Sequence, residues 1–185
     1  VVLRDIDRER VEAGLAKIAQ NLAGAVKRGK MEAAEQEAIQ GRIRGAVELA
    51  DALEGAEVAI EAIPENLELK KRVLSEVAEQ AGASLRLLGT NTSSLPVSEI
   101  AQATVCPEKV VGLHFFNPVH ISKLVEVVRG ERTSADTLAL ALELVETAGK
   151  TPIVVGDAPG FASSRLGLVL GLEAMRMVEQ GVASA

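Results

Sequence analysis

Leu124-Val125-Glu126-Val127-Val128 sets one carboxylate in the middle of an apolar, β-branched run, and that glutamate constrains the fold more than any other residue. The run reads as a buried strand. An ionised glutamate inside it is costly unless a partner meets it there. The natural partner is His114, which ends a second apolar run, Val110-Val111-Gly112-Leu113. Phe115-Phe116-Asn117-Pro118 breaks that strand, and a short turn region leads on to Lys123. Two neighbouring strands then present an imidazole to a carboxylate, with the second ring nitrogen facing a cavity, as general bases are commonly held. A His–Glu contact taken alone is more often structural than catalytic, so the rest of the chain has to decide.

The remaining segments alternate. Val1-Val2-Leu3-Arg4-Asp5 reads as a strand ending in an acid, and Asp7 is placed to cap a helix carrying Val11, Leu15, Ile18 and Leu22. That helix ends in the basic cluster Lys27-Arg28-Gly29-Lys30, which suits a solvated helix C-terminus. A helical stretch near 32–40, a short strand near Ile43 and the buried strand Val58–Ile63 follow. Pro64-Glu65-Asn66 opens a helix over about Leu67–Ala81. Leu87-Leu88-Gly89 is a strand that stops at five small polar residues, Thr90-Asn91-Thr92-Ser93-Ser94. Open α/β sheets place ligands at such strand ends, although a capped turn into a Val97–Ala103 helix explains the same residues. After the central pair come a helix over Ser134–Ala148, the strand Thr151–Val155 and a helix start marked by Asp157 and Pro159. The last helix is apolar around much of its circumference, which implies burial, here against a domain outside these residues.

The pattern predicts a doubly wound, Rossmann-like α/β domain with a mostly parallel sheet. It would occupy residues 1–156, with 157–185 beginning an all-helical domain. With 185 residues the chain can form a real core. A net charge of −6 and only three aromatic residues argue against a nucleic-acid binder. No apolar run approaches the ~18 residues of a membrane span, and no signal peptide opens the chain. The single Cys106 excludes an intramolecular disulfide and suits a reducing, cytoplasmic setting.

Five motifs in one order carry a resemblance. Glu61-Ala62-Ile63-Pro64-Glu65-Asn66-Leu67, Asn91-Thr92-Ser93-Ser94-Leu95, His114-Phe115-Phe116-Asn117-Pro118, Leu124-Val125-Glu126-Val127 and Pro159-Gly160-Phe161 together resemble the L-3-hydroxyacyl-CoA dehydrogenases, most closely the 3-hydroxybutyryl-CoA members. The resemblance implies reversible, NAD-dependent oxidation of a (3S)-3-hydroxyacyl-CoA to the 3-ketoacyl-CoA. On that basis His114 is the base, Glu126 its orienting acid, and Ser93 a hydrogen-bond partner of the reacting oxygen. Asp5 matches the acid on the adenine ribose, which favours NAD over NADP. Ala62, Glu65, Lys70, Asn91, Ser93 and Asn117 match the cofactor path, and Asn21, Arg28 and Ser93 the coenzyme A side. No metal is implied, and the complete protein is expected to be a homodimer through the helical domain.

Three departures accompany it. No Gly-x-Gly-x-x-Gly occurs in the 185 residues, so the family's first strand and phosphate loop are read as lying upstream of Val1. Ser164 stands where the family has an asparagine that contacts substrate. Only the first helix of the helical domain is represented. The chain alone is therefore expected to bind NAD weakly, to lack activity and to aggregate, and the Val1–Arg4 and Val58–Ala62 strands are not expected to pair. Two alternatives share the fold: the dehydrogenase portion of a multifunctional β-oxidation protein, and a non-catalytic relative such as a lens crystallin.

Overall fold

Alternating strands and helices resolve into two sheets. The computed structural model describes residues 1–185, which divide into two units, Val1–Ala56 and Glu57–Ala185. In the first unit β1 (Val2–Arg4) pairs in parallel with β2 (Arg44–Ala46), Val2 opposite Arg44. Between them lie α1 (Arg8–Lys27) and α2 (Ala33–Gln40), and α3 (Leu49–Leu53) follows. The Asp7 carboxylate accepts from Arg10 N at 2.8 Å, the N-cap that its position before an apolar periodic run predicts. α3 leaves no signature in the sequence, because its five residues are too few to show a helical period.

The second unit holds β3 (Val58–Glu61), α4 (Leu67–Ala81), β4 (Leu87–Thr90), α5 (Val97–Gln102), β5 (Val110–Phe115), β6 (Leu124–Arg129), α6 (Ala135–Thr147), β7 (Thr151–Gly156) and α7 (Ser163–Glu179). The sheet runs β3-β4-β5-β6-β7 and is parallel except at β5–β6, which is antiparallel. This is the mostly parallel, Rossmann-like architecture expected. Within the first unit β1 pairs with β2, and within the second β3 pairs with β4. Asn66 caps α4 by accepting from Leu69 N at 2.9 Å, and Ser134 caps α6 by accepting from Thr137 N at 3.1 Å.

Leu87, Val111, Leu113, Val125, Val127, Ala141 and Val145 form the core between the sheet and α6. These are the alternate residues of β5 and β6 on one face, and their burial fixes the register of the pair. Gly112 lies two residues before His114, where a Cβ would come within 2.6 Å of Val128 Cβ and 2.9 Å of Val97 Cγ2. Only glycine allows β5, β6 and α5 to approach this closely. By contrast α7 is uncovered along its length, with Leu166 61 % and Met175 71 % exposed. No residue of the chain buries the apolar circumference noted in its sequence.

Candidate active site

The antiparallel register sets His114 directly opposite Glu126. Side chains of such a pair project from the same face of the sheet, and here they meet: His114 Nδ1 lies 2.7 Å from Glu126 Oε2. Glu126 is fully buried and His114 nearly so. Phe116 packs on the imidazole at a centroid distance of 4.5 Å and Phe161 at 5.8 Å. No protein group bonds Nε2, and no buried polar side-chain atom lacks a partner, so Nε2 is open to solvent. The imidazole is thus oriented through one nitrogen and free at the other.

Glu126 has further partners, distant in sequence and not foreseen from it. Its Oε1 accepts from Ala162 N at 3.0 Å and Ser163 N at 2.8 Å, and its Oε2 accepts from Ser163 Oγ at 2.9 Å. These donors open α7, where backbone N–H groups have no partner inside the helix. The turn that aims them runs through Gly160 (φ +73°) and Phe161 (φ +48°). A left-handed phenylalanine is a strained conformation, held here by burial of the ring beside His114. Burial pushes the Glu126 carboxyl upward, but the hydrogen bonds from His114, Ser163 and Ala162 outweigh it and hold the group below its ordinary range.

A second carboxylate organises the loop after β4. Glu65 Oε1 accepts from Thr92 Oγ1 at 2.6 Å, Ser93 N at 2.8 Å and Ser94 N at 3.2 Å. The Ser93 backbone is therefore fixed while its hydroxyl has no protein partner. Burial raises the Glu65 carboxyl, and the loop's hydrogen bonds together with Lys70 bring it below the ordinary range. Lys70 is fully buried. Its Nζ lies 2.5 Å from Glu61 Oε1, 3.2 Å from Ile63 O and 3.5 Å from Glu65 Oε2. Expected on the cofactor path, Lys70 has no surface left for a nucleotide, since a buried ammonium needs carboxylates around it.

The other expected residues fall as follows. Asn91 Oδ1 accepts from Phe115 N at 3.0 Å and so ties the ends of β4 and β5 together. Ala62 and Asn117 are exposed beyond the ends of β3 and β5. Ser164 is exposed, and its hydroxyl bonds neither Glu126 nor any other protein group; its neighbour Ser163 makes that contact. In the first unit Asp5 ends β1, with Oδ1 accepting from Ile6 N at 2.7 Å. Asn21 is half-buried within α1, and Arg28 is exposed at its C-cap.

Ala62, Asn91, Ser93 and Asn117 occupy the carboxyl ends of β3, β4 and β5, where open parallel sheets take nucleotides. Their small, uncharged side chains, three of them polar and with the Ser93 hydroxyl free, fit the nicotinamide end of a dinucleotide. Residues 1–158 match the family model described as the 3-hydroxyacyl-CoA dehydrogenase NAD binding domain. The chain belongs to the 3-hydroxyacyl-CoA dehydrogenase family.

Within that family the chain is 40 % identical over 183 residues to a probable 3-hydroxybutyryl-CoA dehydrogenase of Bacillus subtilis, covering 99 % of this chain and 63 % of the relative. It is 37 % identical over 166 residues to the fatty acid oxidation complex subunit alpha of Pseudomonas syringae, covering 90 % of this chain and 23 % of that protein. The crystal structure of an (S)-3-hydroxybutyryl-CoA dehydrogenase from Ralstonia eutropha superposes with a TM-score of 0.95 at 34 % identity, over 100 % of this chain and 64 % of that one. The chain therefore spans just under two thirds of the length of the Bacillus subtilis and Ralstonia eutropha dehydrogenases. No helix is long and apolar enough to cross a membrane.

Proposed function

We propose that the protein carrying this chain oxidises a (3S)-3-hydroxyacyl-CoA to the 3-ketoacyl-CoA, reversibly, with NAD. The observation that carries this reading is the imidazole of His114, held at Nδ1 by a buried carboxylate and open at Nε2. Nε2 takes the proton of the 3-hydroxyl, and in the reverse direction returns it. Glu126 stays ionised and stabilises the imidazolium, so the charge formed at the base is met without movement. The Ser93 hydroxyl, free of protein partners, donates to the reacting oxygen. Bound NAD supplies the hydride acceptor for carbon 3.

Asp5 would hold the adenine ribose, with Ala62, Asn91 and Asn117 towards the nicotinamide and Glu65 with Lys70 supporting them. Asn21 and Arg28 would face coenzyme A, Arg28 as a cation for phosphate. A cytoplasmic homodimer fits the family resemblance. A second reading, the dehydrogenase portion of a multifunctional fatty-acid oxidation protein, is supported by the similarity to the Pseudomonas syringae subunit and uses the same chemistry.

Steady-state assays of the full-length natural protein with (3S)-3-hydroxybutyryl-CoA test the reading. Turnover with NAD is expected to exceed that with NADP, and Asp5→Ala to narrow the difference. Equal use of both cofactors by the unmodified protein would remove Asp5 from the ribose site. No turnover with either cofactor would sink the reading itself.

A further inference from the structure

Glu126 receives four hydrogen bonds, and two come from one residue outside the β5–β6 pair. Ser163 gives its backbone N–H to Oε1 at 2.8 Å and its hydroxyl to Oε2 at 2.9 Å. Oε2 is the oxygen that holds His114 Nδ1 at 2.7 Å. Ala162 N completes the set at 3.0 Å from Oε1. A carboxylate pinned at both oxygens cannot turn about its last carbon–carbon bond, so the imidazole on Oε2 keeps its plane. Without the hydroxyl, both remaining backbone donors act on Oε1, and Oε2 has the imidazole alone. The oxygen that sets the base would then be the less constrained one.

We propose that Ser163 is a positioning residue for His114, acting through Glu126 and linking the start of α7 to the orientation of the base; this rests on the reading of His114 as base. No lysine or arginine lies within 4 Å of the Glu126 oxygens, so no cation substitutes for the serine. Ser163 is only half-buried and begins a helix, so it tolerates replacement better than a core residue.

The test compares Ser163→Val and Ser163→Thr in the full-length natural protein, since the two match in shape and only threonine keeps the hydroxyl. Ser163→Val is expected to lower kcat about tenfold, the order set by one hydrogen bond to a charged group, while both KM values move less than about twofold. Ser163→Thr is expected to restore kcat to within about threefold. Proton NMR of the His114 Nδ1–H adds a readout that a merely structural residue would leave alone. His114→Gln assigns that resonance by its loss. The resonance should move in Ser163→Val and hold in Ser163→Thr. Should the β-branched pair disturb the first turn of α7, Ser163→Ala is the second variant, with the same loss expected. Unchanged kcat and an unmoved resonance in the hydroxyl-free variants overturn the proposal, as does equal impairment of valine and threonine. If His114→Gln retains turnover, the base reading falls and takes this one with it. If His114→Gln is inactive but Ser163→Val is normal, only the Ser163 role falls.

Discussion

Glu126 and Glu65 are built alike and differ in one partner. Each is a carboxylate taking backbone N–H groups from a segment distant in sequence, Ala162 and Ser163 in one case, Ser93 and Ser94 in the other. Each also takes a hydroxyl, from Ser163 or Thr92. Hydrogen bonds overcome burial in both, and both titrate below the ordinary glutamate range. The nitrogen partners separate them. Glu126 holds an imidazole with a second nitrogen open to solvent, a group that can pass a proton on. Glu65 faces an ammonium that is fully enclosed and shared with Glu61, which can only balance charge. One device, with two partners, gives a candidate base at one strand end and a rigid loop for Ser93 at another.

The largest difference between the two carboxylates is expected at His114. In the full-length protein His114→Gln is expected to reduce kcat by about 10²–10⁴-fold, the range for a positioned acid–base group. Glu126→Gln should act in the same direction, with NADH binding little changed. Turnover that survives His114→Gln would make both stations structural, and the distinction drawn from their partners would vanish.

Lys70 probes the other station through stability. Lys70→Met removes the ammonium and leaves the buried Glu61 carboxylate unpaired, with Glu65 beside it. Breaking a buried pair on one side costs about 3–5 kcal/mol, and each kcal/mol lowers Tm by about 2–4 °C in a domain of this size. A melting temperature within error of the unmodified protein would show that the ammonium is not the keystone of that loop. Adding Glu61→Gln to Lys70→Met should recover part of the loss, because the stranded charge is then gone.

Much of this was legible beforehand, for identifiable reasons. The cap at Asp7, the helix starts near Asn66 and Ser134 and the strands at Val110 and Leu124 follow from local pattern, since a helix start or an apolar run involves residues close in sequence. The His114–Glu126 contact was legible because only a short segment separates the strands and a buried carboxylate has to be paired. Ser163 was not, because its bond to Glu126 spans 37 residues and depends on how a left-handed turn at Gly160 and Phe161 aims a helix. A signal existed: a buried glutamate needs more donors than one imidazole, and a helix start rich in serine offers them. The role of Glu65 escaped for the same reason, its loop lying 27 to 29 residues away. Lys70 was placed on the cofactor path by resemblance, and its burial against Glu61 was not legible because it depends on which way that position of α4 faces in the fold.

Acid titration compares the two stations in one experiment. Both folded-state values are depressed, so their contributions to stability are fully present above the unfolded glutamate value of about 4.3 and fade as pH falls through the lowered folded values. The unmodified protein should therefore lose stability steeply below that point. Glu126→Gln and Glu65→Gln should each flatten the acid limb, and Glu126→Gln more, since Glu126 is fully buried while the Glu65 side chain is 38 % exposed. The measurement is the denaturation midpoint as a function of pH. An acid limb of unchanged slope in both variants would place the acid sensitivity elsewhere.

The smallest expected effect separates two adjacent serines. Ser163 points its hydroxyl at Glu126, while Ser164 leaves its own exposed and unbonded to protein. If Ser164 serves in place of the family's asparagine, its polar group acts on substrate rather than on the dyad. Ser164→Asn should then preserve activity, since the amide can donate and accept. Ser164→Val should lower kcat/KM by about threefold, the order of one neutral hydrogen bond. The His114 Nδ1–H resonance should stay where it is in both variants, because nothing joins Ser164 to Glu126. Unchanged activity in Ser164→Val would take Ser164 out of the site and leave Ser163 as the only serine of α7 with a part in it.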